Sequence, residues 1–280
     1  FDVLVQVTAF FFLKETYAPK ILADKAKKLT KATGQVYMTE YDQPDKSFGS
    51  IMRRRLVLPF IMMFTHPAVQ APSIFRAYLY GIMYLVLSTF PRVWSGIYHM
   101  EKGIASLNYL SLCIGFLVGL QISHPLMDKL YARLKAKHGV EEGLPEWRVP
   151  PMLLGGILCP AGLFIYGWSA EARVHWIVPN IGCVILAIGL IIAFQSVQAY
   201  VVDAYSARYA ASAAAVGAFL HTMCGFGFPL FAPKMYDALH LGWGNSLLAF
   251  ITLVLALLSP ILLWFFGARL RQWSRRGLDI

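Results

Sequence analysis

Six stretches of this chain, each about as long as the 20 apolar residues a helix needs to cross a lipid hydrocarbon core, are almost free of charge: 67–91, 104–123, 151–170, 177–199, 211–232 and 246–267. A shorter apolar run, 1–13, precedes them. The bilayer core holds no water to satisfy backbone N–H and C=O groups, so segments of this length are expected to be helices that bond internally. Charged residues make up only 14% of the 280, and hydrophobic ones 58%. A water-facing surface needs roughly 25–35% charge, so the solvent this chain is built for is lipid. The expected fold class is an all-α integral membrane protein with a six-helix transmembrane bundle.

The basic residues lie in the gaps between the spans, and they are unevenly shared. Segments 14–55 and 124–150, the break near Arg208 and the tail after Gly267 hold twenty Lys and Arg; the alternate gaps hold four, Arg92, Lys102, Arg173 and Lys234. Cytoplasmic loops carry such an excess, so the basic gaps and the C-terminal tail are expected in the cytoplasm. The net charge of +10 therefore reads as membrane topology, with no nucleic-acid partner expected. Residue 1 is Phe, without a charged segment and cleavage site behind it. The chain reads as a piece that begins partway through a helix rather than with a signal peptide.

Within the long basic gap, Ala18, Ile21, Leu22, Ala26 and Leu29 recur at helical spacing with lysines on the other face. This predicts a basic amphipathic helix suited to an anionic leaflet. A polar linker over 35–50 and a short amphipathic lead-in over 56–63 are expected to follow. The resulting division is 1–13 (end of a helix), 14–63 (cytoplasmic loop), 64–267 (bundle) and 268–280 (cytoplasmic tail).

Enzyme chemistry finds no foothold. The chain lacks GxSxG, HExxH and a glycine-rich phosphate loop with its lysine. Cys113, Cys159, Cys183 and Cys224 each lie in apolar stretches without a CxxC pair, as small fillers do. No catalytic residue, metal or cofactor is expected.

Polar groups inside spans are costly and are candidates for function. Arg76 lies near the start of its span, either snorkelling to the interface or at work in it. His221 is in mid-span and suits proton carriage, substrate bonding or a neighbouring partner. Gln195 and Gln198 are one i,i+3 step apart and share a helix face. They serve either as glue between helices or as groups that orient a polar substrate in a wet cavity, and His221 offers itself as a partner. Asp203 is placed to cap the helix that follows. Gly115 and Gly119 form GxxxG, which lets helices approach closely. Gly225, Gly227 and Pro229 interrupt the next-to-last span, as hinges or packing devices. Tyr84, Asn108 and Phe226 join Gln195, Gln198 and His221 as cavity candidates, while Arg76, Gly115, Gly119, Asp203, Gly225, Gly227 and Pro229 are the packing or gating set.

Several stretches carry a resemblance, in order and over nearly the whole chain: FFLKETYAPKILADKAKKL, FTHPAVQ, YGIMYLVLSTFP, GIASLNYLSLCIGFLVG, LYARLKAKHG, PEWRVPPMLLGG, FQSVQAYVVDAY, RYAASA and GFGFPLFAPKMYDALHLGWGNSLLAF. They resemble the major facilitator superfamily, in its fungal drug:proton antiporter (multidrug efflux) branch. The resemblance implies that the spans are the seventh to twelfth of a twelve-helix transporter and that 1–13 ends the sixth. It further implies proton-coupled export of small amphipathic compounds across the plasma membrane, by alternating access between two halves. The partners it implies are the bilayer, a small-molecule substrate, protons and the N-terminal six-helix half. Relatives often carry Arg where this chain has His221. The alternatives are a transporter of a small nutrient or polyamine, and a truncated membrane protein that transports nothing.

Overall fold

The computed structural model describes residues 2–12, 18–39, 48–140, 143–205 and 207–275. Parts of the sequence expectations lie outside the described residues: the start of the amphipathic helix, the middle of the polar linker and the last residues of the tail. The chain divides into two compact units, 1–54 and 55–280. Unit one holds α1 (Asp2–Phe12), α2 (Ala18–Thr33) and the start of α3 (Phe48–Thr65). On α2, Ile21, Leu22 and Leu29 are exposed.

The second unit carries the bundle: α4 (Pro67–Pro91), α5 (Lys102–Leu107), α6 (Tyr109–His138), α7 (Pro150–Glu171), α8 (Ile177–Ala204) and α9 (Ala207–Arg275). Among the described residues there is no strand. Five helical stretches are long and apolar enough to cross a membrane, the last of them running over 209–274. That last stretch is two spans. His240 has φ 57 and ψ −177, outside the helical region, so an ascending limb (207–239) and a returning limb (241–275) meet there. The sequence counts six spans and so does the structure.

The helices outrun the apolar stretches that announce them. Residues 124–138, read as loop from their charge, continue α6 for four more turns. They end at Gly139, whose φ of 63 is the left-handed cap that glycine adopts freely. Lys135, Lys137 and His138 occupy the last turn, where the helix dipole favours positive charge. Residues 233–239, also read as loop, remain helical because their side chains are held. Tyr236 is buried and its hydroxyl donates to Asn245 Oδ1 at 3.0 Å, while Asp237 pairs with Arg92 at 2.7 Å.

Contacts between gaps sort the helix ends into two sets. One end, called here the basic end, brings together the C-terminal part of α6, the segment 145–148, the end of α8 and the end of α9. There Arg148 bonds Asp203 at 2.9 Å and Asp128 at 3.2 Å. Its guanidinium also lies 4.3 Å from the centre of the Tyr131 ring. Glu146, buried, pairs with Arg271 at 2.8 Å. The opposite end gathers Arg92 with Asp237 and Asn108 with Asn180, whose Nδ2 donates to Asn108 Oδ1 at 2.7 Å. Tyr98 donates to the Val174 carbonyl at 2.8 Å, and the Glu171 carboxylate accepts from the Gly242 amide.

Glycine lets the helices touch backbone to backbone. A Cβ on Gly162 of α7 would stand 2.4 Å from the amide nitrogen of Leu186, and one on Gly182 of α8 would stand 2.6 Å from that of Tyr166. Gly155 and Gly189 repeat the arrangement two turns along. Gly115 and Gly119 bring α6 against α8, where a Cβ on Gly115 would lie 2.6 Å from the Ala187 Cβ. Without a water-driven force between apolar helices in lipid, this close fit and the polar bonds across it hold such a bundle together.

Candidate substrate-cavity site

The site is built on three helices, α4, α8 and the ascending limb of α9. Pro67 opens α4, where its fixed φ suits a first helical turn and its missing N–H would have no partner anyway. Arg76 follows nine residues on, about 14 Å along the helix at 1.5 Å per residue. It does not snorkel to the end of its helix. Its Nη1 donates to Gln198 Oε1 on α8, and its Cζ lies 5.7 Å from the centre of the Phe194 ring, one turn back along the same helix. The Arg76 Nε is buried and finds no hydrogen-bond partner among the described residues. None of their carboxylates pairs with it either: Asp128 and Asp203 are taken by Arg148, and Glu146 by Arg271.

One turn beyond Arg76 on α4 stands Tyr80, the centre of an aromatic group. Its ring lies 4.3 Å from that of His221, 4.9 Å from that of Tyr84 and 6.1 Å from that of Phe194. Gly225 makes room for it, since a Cβ there would sit 3.1 Å from Tyr80. Gly81, on the adjoining face, accepts the Phe228 ring in the same way, at 2.7 Å from a built Cβ. Small residues thus set the spacing between α4 and α9 at the level of the aromatic group. The result is a half-buried guanidinium, amide and imidazole beside the half-buried Tyr80, the exposed Tyr84 and the buried Phe194.

The sequence candidates divide on this geometry. Arg76, Gln198, His221, Tyr84 and Gly225 come together. The partner of Gln198 is Arg76 rather than His221. Gln195, although one helical step from Gln198, turns to a different neighbour, with its Nε2 3.3 Å from His124 Nε2 on α6. Asn108 belongs to the opposite end, bonded to Asn180 and to the Ile104 and Ala105 carbonyls. Asp203 belongs to the basic end, on Arg148. Gly115 and Gly119 face α8. Phe226 is 68% exposed. Around Gly227 nothing comes within 4 Å of a built Cβ, and Pro229 continues the helix half-buried.

Reading the sequence did not single out Phe194, or the basic-end set Asp128, Glu146, Arg148 and Arg271. Phe194 is one more aromatic in an apolar span. The ionic partners lie 20 to 125 residues apart, and spacing alone does not pair them. A signal did exist for Glu146, an acid inside the apolar PEWRVPPMLLGG segment.

Three curated relatives bear on what such a site serves. The chain is 44% identical over 272 residues to the efflux pump vrtL of Penicillium aethiopicum, covering 97% of this chain and 53% of that protein. It is 42% identical to the MFS-type transporter oryF of Aspergillus oryzae, over 94% of this chain and 54% of that one. It is 35% identical to the efflux pump radE of Floropilus chiversii, over 97% and 50%. The chain spans about half the length of the curated relatives it matches. No family model matches it, and no solved structure does.

Proposed function

We propose that this chain, which belongs to the MFS-type transporters and corresponds to a C-terminal half of one, supplies one wall of a path that exports small amphipathic compounds in exchange for protons. Two of the relatives above are named efflux pumps, and relatives that transport are not enzymes. The observation that carries the reading is the polar cluster of Arg76, Gln198 and His221 on the surface of an otherwise apolar bundle. Lipid penalises such groups, and in membrane proteins they face a bundle interior or a water-filled cavity. Facing a second half-bundle, they would line a central cavity near mid-membrane, where transporters of this architecture bind substrate. Tyr80 and Tyr84, backed by the buried Phe194, supply apolar faces for a greasy body, as small-molecule sites do with few fixed polar groups.

The uneven spread of Lys and Arg supports placing the basic end in the cytoplasm. On this orientation both flanks of the bundle are cytoplasmic, α2 lies on the anionic inner leaflet with Ile21, Leu22 and Leu29 inward, and the plasma membrane is the site of export. His221 is the protonatable group that this half brings to the cavity; protons drive the cycle together with groups of the other half.

The test uses the complete transporter in inside-out vesicles. An imposed gradient, acid inside, should drive accumulation of a fluorescent amphipathic dye such as rhodamine 6G or fluorescein, and a protonophore should abolish it. Accumulation unaffected by the protonophore would remove the proton coupling, and no gradient-driven movement of any amphipathic probe would remove the export function.

A further inference from the structure

We propose that Arg76 is the seat of an anionic group on the substrate, so that the transporter recognises amphipathic organic anions: an aromatic or alicyclic body carrying a carboxylate, a sulfonate or an acidic enol. The inference rests on the cavity reading above and specifies what the cavity takes. A guanidinium stays protonated under all physiological conditions and offers five N–H donors in a flat fork. An arginine held within a span is expected to find a counter-charge, yet this one is bonded through Nη1 to a neutral amide oxygen on Gln198, and its Nε has no partner among the described residues. The carboxylates of the same unit that lie nearest along the helices, Asp203 on α8 and Asp128 on α6, are held by Arg148 at the basic end. The site has a permanent positive charge, an unused donor and, among the described residues, no anion of its own.

Its surroundings fit the rest of such a molecule. Gln198 takes Nη1 and Nε is buried, which leaves Nη2 to give an incoming oxyanion a charge-assisted hydrogen bond. Phe194 lies under the guanidinium, and Tyr80 bridges from Phe194 to His221 and Tyr84. An aromatic body attached to the anion therefore meets ring faces within a few ångströms of the charge. The pairing is directional: the apolar part alone gains only greasy contact, and the oxyanion alone lacks the rings.

A carboxylate on Arg76 has two possible sources, the substrate or an acid of the other half-bundle, and equilibrium binding separates them. The complete transporter in detergent is titrated with 1-naphthylacetate and with 1-naphthylacetamide, which share a body and differ in charge, and binding is followed by calorimetry. The expected result is about ten-fold tighter binding of the acid, the scale of one charge-assisted bond. In Arg76→Gln the preference for the acid over the amide should fall below two-fold; Arg76→Lys should retain part of it. Equal binding of the two probes by the unaltered protein, or no binding of the acid up to about 1 mM, overturns the proposal even if Arg76→Gln fails to fold. An unchanged preference in Arg76→Gln overturns it too, and if that variant also melts markedly lower, the charge was paired with an acid of the other half. Because the readout is binding, the proposal can fail while proton-driven export stands, and the reverse.

Discussion

Replacing Arg271 by alanine is expected to destabilise the transporter by about 3–5 kcal/mol, the usual consequence of stranding one partner of a buried ion pair. Both members are poorly exposed, with 16% of the Arg271 side chain and 9% of the Glu146 side chain open to solvent. The Arg271 Nη2 reaches both oxygens of the carboxylate, at 2.8 and 3.0 Å. Glu146 also packs on the returning limb of α9, where a Cβ on Gly267 would stand 2.5 Å from its Oε1. Without the arginine, a largely buried carboxylate is left in a tight slot without its counter-charge. Thermal unfolding of the complete protein in detergent should show a large fall for Arg271→Ala. The double change Glu146→Leu with Arg271→Leu should recover much of the loss, because removing both charges ends the desolvation penalty. If the double variant is as unstable as the single one, the pair is not the source of the effect.

Gly162→Leu should cost about 3 kcal/mol or more, at the upper end of what overpacking does to a well-fitted core. Its built Cβ meets backbone: Leu186 N at 2.4 Å, Gly182 O at 2.7 Å and Leu186 Cα at 2.7 Å. No rotamer change can relieve contacts with main-chain atoms, so α7 and α8 must part, and Gly155, Cys159 and Gly189 would lose their fit along the same seam. The expected result is little folded protein on size-exclusion chromatography. Gly96→Ala, where nothing lies within 4 Å of a built Cβ, should leave the yield unchanged. Normal yield and stability for Gly162→Leu would contradict the close crossing of these helices.

The spans could be read from the sequence because crossing lipid is a length requirement that each apolar run meets by itself. Their ends could not. Lys129, Arg133 and Lys135 look like loop by charge, but a helix can run out of the bilayer into water without breaking, and α6 does so. The turn at His240 leaves no glycine or proline at its own position to announce it; Gly242 stands two residues later. Arg76 drew attention through its cost in lipid, whereas its partner on α8, 122 residues away, required the fold. The two glutamines show the limit of helical spacing: a shared face tells nothing of which neighbour each will meet, and Gln195 and Gln198 lean to opposite sides, toward α6 and α4. The glycines of α7 and α8 carried a weak signal in their seven-residue spacing, 155 with 162 and 182 with 189, whose meaning appears only once the two helices are crossed.

The surface around Arg76, Tyr80 and Tyr84 is expected to line a water-filled path rather than lipid, and cysteine labelling at Tyr84 reads this out. Tyr84 is 39% exposed and touches the aromatic group through Tyr80. In a complete transporter whose Cys113 and Cys224 are replaced by serine, with Cys159 and Cys183 left in place because both are fully buried, Tyr84→Cys should react with a charged, water-soluble maleimide. An excess of a transported compound should slow the reaction. A Tyr84→Cys protein that stays unlabelled until it is denatured, and then labels fully, would place this surface against lipid or packed protein and contradict the account.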